Sequence, residues 1–152
     1  GLWWPSIHNS QSYTQGIDAG LNPREAANLG DLTGAVDSLP GSQNRENSFW
    51  HAMSDPSAGP SEAKEAWQSY INTNLTTCNL ENLARALHAL QDSFSPAHSG
   101  FQTWWGMNRY SKLQLIPHAI LDSPLSFGPL LESKKATRRA INEWLNRCRC
   151  QK

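Results

Sequence analysis

The chain has 152 residues, a length that suits one domain around a single core, and no long linker divides it. Thirteen basic and thirteen acidic residues cancel, so global charge draws the chain neither to a polyanion nor to an anionic membrane, and no apolar run is long enough to span a bilayer. The hydrophobic fraction, 38%, is modest.

Near the amino end, Trp3-Trp4 precedes His8. The stretch from Gly30 to Asn47 is rich in Gly, Ser, Asn and Asp and reads as a loop carrying Asp37. Fourteen residues further on comes His51, directly after Phe49-Trp50. Apolar periodicity predicts helices near 61–73, 79–93, 117–123 and 133–147, with turn-rich sequence between them and no repeat or strand-rich segment. The expected class is all-α: a compact helical domain with long loops. Asn79 is placed to cap the helix that carries Leu83, Leu87 and Leu90. Ser133 is placed to cap the last helix, with Ala140, Ile141, Trp144 and Leu145 on its inner side.

His88 and Asp92 are four residues apart, so a helix stacks them on one face and offers nitrogen and oxygen ligands together. Pro96 breaks or kinks that helix, and the bend returns His98 from another direction. His118 and Asp122 repeat the spacing behind Pro117, which suits a first helical turn. The candidate ligands are His8, Asp37, His51, His88, Asp92, His98, His118 and Asp122, a set that uses all five histidines. Asp31 and Asp55 compete with Asp37 for its place. Zinc accepts imidazole and carboxylate readily, and a set without thiolate argues against a closed structural finger.

Phe101, Trp104, Trp105 and Tyr110 follow His98 closely and are candidates for the rim of the site. Such rings enter a lipid interface or line a headgroup pocket, stack on nucleic-acid bases, or simply fill a core. The basic run Lys134, Lys135, Arg138 and Arg139 reads as a solvated helix face, with phosphate contact as the minority reading. Cys78, Cys148 and Cys150 allow one intramolecular disulfide. A bridge from Cys78 to the carboxyl end and free packed thiols are both open readings.

In order, spacing and chemistry these residues resemble the zinc-dependent phospholipase C family and the related single-strand-specific zinc nucleases. The likeness lies in Trp3 or Trp4 with His8, then Asp37 with His51, then His88-x3-Asp92-x5-His98, then His118-x3-Asp122. It spans positions 3 to 122 and is far more specific than any single pair. The resemblance implies a multinuclear zinc cluster. In it Asp37, His51, His88 and Asp92 hold one ion, Asp92 bridges to a second ion bound by His8, and His98, His118 and Asp122 hold a third. Relatives add the amine and carbonyl of a terminal Trp, whereas Gly1 and Leu2 precede Trp3 here, so the expectation is two or three zinc ions. Asp37 and Asp92 are the catalytic residues it implies, Asp37 orienting or deprotonating the attacking water.

The implied reaction is phosphodiester hydrolysis, with phospholipase C-type cleavage of glycerophospholipids ahead of cleavage of single-stranded nucleic acid. Asp122, where phospholipases usually carry Glu, is a feature of the nuclease branch. The competing class is a non-catalytic zinc-stabilised binding module. A small catalytic domain of this kind also looks like the toxin module of a larger bacterial effector, secreted or delivered into a target cell. A phospholipid surface is then its substrate, and a cognate immunity protein its partner.

Overall fold

Helix formation begins earlier in the chain than the apolar pattern indicates. The computed structural model describes residues 5–95, 98, 100, 101, 103 and 127–149, and its first elements are α1 (Pro5–Ala19) and α2 (Pro23–Gly34). The buried face of α1 consists of Ile7, His8, Gln11, Ser12 and Gly16. That spacing is helical, but the residues are mostly polar or small, so hydrophobic periodicity does not register it. α2 starts at Pro23 behind an Asn22 cap, whose side-chain oxygen accepts the Glu25 amide at 2.9 Å.

Two glycines set how closely α1 and α2 approach. A Cβ on Gly30 would lie 2.5 Å from Asn9 Oδ1, and one on Gly34 would lie 2.8 Å from the Pro5 carbonyl oxygen. Only a residue without a side chain lets the two backbones come this near. The stretch expected as a loop from Gly30 to Asn47 is therefore corrected: α2 runs through Gly34, and the 3-10 turns Val36–Ser38 and Arg45–His51 follow.

α3 (Pro60–Thr76) and α4 (Leu80–Asp92) lie where the periodicity predicts them, and Asn79 does cap α4, accepting the Asn82 amide at 2.8 Å. The last helix, α5 (Phe127–Arg149), starts well before Ser133. Ser133 is not its cap but a fully buried interior residue, whose hydroxyl donates to Gln11 Oε1 at 2.6 Å. A partner on α1 gives the hydroxyl its bond inside the helix. The helix expected near 117–123 lies outside the described residues.

α4 is the central element and touches α1, α2, α3, α5 and the second 3-10 turn. Leu83, Ala84 and Leu87 join Leu21, Leu29, Ala140, Ile141 and Trp144 in one apolar core. A smaller one gathers Ile71, Ala86 and Ala89 beneath Trp67 and Tyr70. Cys78 is bonded to Cys148 across a separation of 70 residues, with Cα atoms 5.4 Å apart, which staples α5 to the turn before α4. Cys150 lies outside the described residues. Among the described residues there is no strand, only an isolated bridge between Ser54 and Thr103, and no helix is long and apolar enough to cross a membrane. The fold is all-α.

Candidate metal centre

Six of the eight sequence-predicted ligands fall within the described residues. His8 comes from α1, Asp37 from the first 3-10 turn, His51 from the end of the second, and His88 and Asp92 from the last turns of α4. His98 sits in a turn just beyond, its amide bonded to the Ser95 carbonyl at 2.9 Å. His51 is held by its neighbours: Trp50 stacks on Tyr70 at 5.8 Å, Phe49 meets the same ring edge-on, and Ala52 closes the turn in the left-handed region at φ 54°. All four histidines and Asp92 are buried, whereas the Asp37 side chain keeps 13% of its surface exposed.

The four-residue spacing of His88 and Asp92 does what a helix requires, bringing Nε2 within 3.1 Å of Oδ2. His51 Nδ1 lies 3.1 Å from both His88 Nε2 and Asp92 Oδ2. Asp37 Oδ1 completes this knot at 3.4 Å from His51 Nδ1 and 3.5 Å from His88 Nε2. The other Asp92 oxygen, Oδ1, faces His8 Nε2 at 3.2 Å, while the His8 and His88 rings stack at 3.9 Å. Two overlapping sets, His8-Asp37-His88 and His51-His88-Asp92, each bring their ligand atoms within 4.8 Å of one another and can hold a metal ion. His88 belongs to both, and the two Asp92 oxygens face opposite sides of the cluster.

The outward nitrogen of each ring decides what the inward one presents. A carbonyl oxygen only accepts hydrogen bonds, so a ring nitrogen against one carries the proton. His88 Nδ1 donates to the Thr33 carbonyl at 2.9 Å, and His98 Nδ1 to the His51 carbonyl at 2.5 Å. His51 Nε2 lies 3.1 Å from the Ser42 carbonyl and 2.9 Å from the Ser42 hydroxyl. His8 Nδ1 meets Gln91 Oε1 at 2.8 Å. In their neutral forms His8, His51 and His88 therefore direct a lone pair into the cluster, the arrangement by which outer hydrogen bonds orient histidine ligands. Lone pairs and carboxylates so close together repel unless a cation sits among them. Among the described residues Asp37 Oδ2, Asp92 Oδ1 and His98 Nε2 are buried with no hydrogen-bond partner, and the donor set is nitrogen and oxygen throughout. These residues fit a borderline divalent metal such as zinc.

Without metal, a proton answers part of this demand. Burial opposes charge on His88, but the carboxylates of Asp92 and Asp37 outweigh it and push its pKa up to about 10. Burial also raises Asp37 and Asp92, yet His88 brings both below the ordinary carboxylate range, Asp92 well below it with help from His8 and His98. His51 and His98 are neutral, because burial lowers His51 and drives His98 down to about 3.

Of the competitors for Asp37, Asp31 accepts from Asn9 on the surface and Asp55 from Ser57, so Asp37 is the one in the cluster. His118, Asp122, Trp104, Trp105 and Tyr110 lie outside the described residues. Phe101 packs edge-on against Trp67 at 5.5 Å, and its carbonyl accepts the Ser54 hydroxyl. Sequence reasoning missed Thr33, Ser42 and Gln91, which orient the rings. No motif marks them, since two of the three contacts to the rings include or consist of backbone carbonyls, which any residue supplies. Comparison of the chain with protein-family models, curated proteins and solved structures finds no match.

Proposed function

We propose that the chain is a zinc-dependent phosphodiester hydrolase, with phospholipase C-type cleavage of glycerophospholipids to diacylglycerol and a phosphorylated headgroup as its reaction. The observation that carries this reading is the buried knot of His8, His51 and His88 around the carboxylates of Asp37 and Asp92, with the outer ring nitrogens bonded to Gln91, Ser42 and Thr33. His8, Asp37, His51, His88, Asp92 and His98 would hold the zinc, joined by His118 and Asp122 according to the ordered motif. When bound there, zinc supplies Lewis-acid charge for the phosphodiester oxygens and brings the pKa of water to about 7.

The protein's own groups divide the remaining work. Asp92, wholly buried, ties the two sides of the cluster together and holds His8, His51 and His88 in place. The Asp37 side chain is the one in the cluster that keeps some exposure, and its buried Oδ2, without a hydrogen-bond partner, would take a proton from the attacking water. The thiols of Cys78 and Cys148 are consumed in a disulfide, which removes them as zinc ligands and supports a catalytic rather than a finger-like site. The bond also suits a protein secreted or delivered through an oxidising compartment, as expected of a toxin domain.

The test offers zinc-loaded protein phosphatidylcholine, phosphatidylethanolamine and single-stranded DNA and RNA in parallel, with chelator and His98→Ala controls. Diacylglycerol release that both controls abolish is the expected result. Nucleotide release without lipid cleavage would transfer the site to nucleic acid. Full zinc occupancy with no hydrolysis of any substrate would make it a binding module.

A further inference from the structure

Gln91 lies next to Asp92 on α4, wholly buried between α1 and α5. Its amide nitrogen donates to two hydroxyls, Ser12 Oγ on α1 at 3.0 Å and Thr137 Oγ1 on α5 at 3.2 Å. In this orientation of the amide the carbonyl end faces His8 Nδ1 at 2.8 Å. An amide oxygen accepts only, so His8 must carry its proton on Nδ1 and present the lone pair of Nε2 to Asp92 Oδ1, 3.2 Å away. Were the amide reversed, its N–H groups would meet Nδ1, and His8 would instead place its proton on Nε2 and donate to Asp92. That second state satisfies both groups without a metal, and it closes His8 to coordination.

We propose that Gln91 is a positioning residue which fixes the Nδ1-protonated tautomer of His8 and so reserves Nε2 for a divalent cation. Its link to Thr137 makes α5 part of this device, so a helix that contributes no ligand within its described length still sets the donor state of one on α1. The cation-binding part of the inference rests on the metal-centre reading; the tautomer part does not.

Two measurements test it separately. Long-range proton–nitrogen correlation spectra of the wild-type protein, metal-free and at pH 8, should show the His8 proton on Nδ1 alone. The same spectra of Gln91→Leu should show it move to Nε2, while Gln91→Glu, whose carboxylate still accepts from Nδ1 and takes hydrogen bonds from the Ser12 and Thr137 hydroxyls, should keep Nδ1 protonated. Zinc titration should then show affinity falling about 10–100-fold in Gln91→Leu, the usual cost of losing an outer partner, and recovering in Gln91→Glu. A proton on Nε2 of wild-type His8 would overturn the proposal without any variant having to fold. So would wild-type zinc affinity in a folded Gln91→Leu protein. If the tautomer follows Gln91 as described but the wild type binds no zinc, the positioning role stands and the metal-centre reading falls.

Discussion

Along one face α4 buries Leu83, Ala84 and Leu87 against side chains of α2 and α5, and at its carboxyl end it buries His88, Gln91 and Asp92 against α1 and the turns that carry Asp37 and His51. Both regions exclude water, but they pack on different terms. The leucines need only complementary shape, because apolar burial is non-directional. The polar end sets ring nitrogens against carboxylate oxygens and each other at 3.1–3.5 Å, which requires positive charge among them, the His88 proton in the metal-free protein. One helix therefore carries both an apolar core and a cluster whose residues could hold a metal ion.

The sharpest way to break this comparison is Asp92→Asn, which removes the carboxylate shared by His8, His51 and His88. Zinc content should fall, and phosphodiesterase activity should drop by more than the about 10–100-fold that losing an outer partner costs. Full zinc stoichiometry by elemental analysis with normal turnover would end the reading of this end of α4 as a ligand platform.

Acid should also separate the two regions. Buried neutral His98 has its pKa lowered to about 3, and His51 is lowered in the same direction. Between about 6.5 and 3 the unfolded chain takes up protons that the folded one refuses, so stability should be lost as pH falls through that window. His88 acts oppositely in the metal-free protein. Its pKa of about 10 stabilises fully below about 6.5 and ceases to do so as pH rises toward 10. Urea midpoints of metal-free protein should therefore peak near neutrality. With zinc in place of the His88 proton, the alkaline decline should disappear.

Smaller effects belong to the apolar region and its staple. Replacing Cys78 and Cys148 by Ser opens a 70-residue separation and should cost about 4 kcal/mol in denaturant unfolding. Leu87→Ala should cost about 3 kcal/mol by leaving a cavity in the core, with zinc stoichiometry unchanged. A loss of zinc in Leu87→Ala would show that the two regions of α4 are not separable.

The helices whose buried faces are apolar, α3, α4 and α5, were legible in the sequence, as was the Asn79 cap. α1 was not, because the face it buries is His8, Gln11, Ser12 and Gly16. The polar residues that blur its periodicity are the ones with partners inside the fold: His8 reaches the cluster, Ser12 accepts from Gln91 and Gln11 from Ser133. The pairing of His88 with Asp92 was also legible, because helical spacing alone brings those two side chains together. Asp37 and His51 were legible only as a spacing fourteen residues long, not as neighbours.

Residue types and order alone thus determined an all-α chain in which histidine and carboxylate recur at ligand spacing. Only the tertiary structure decided which nitrogen of each ring turns inward. That choice is made by the carbonyls of Thr33, Ser42 and His51 and by the amide of Gln91, contacts between positions far apart in the chain except at Ser42, and backbone carbonyls carry no mark in a sequence. The glycines that let α1 close on α2 belong with them, because the meaning of Gly30 and Gly34 appears only when Asn9 and Pro5 stand where their side chains would be.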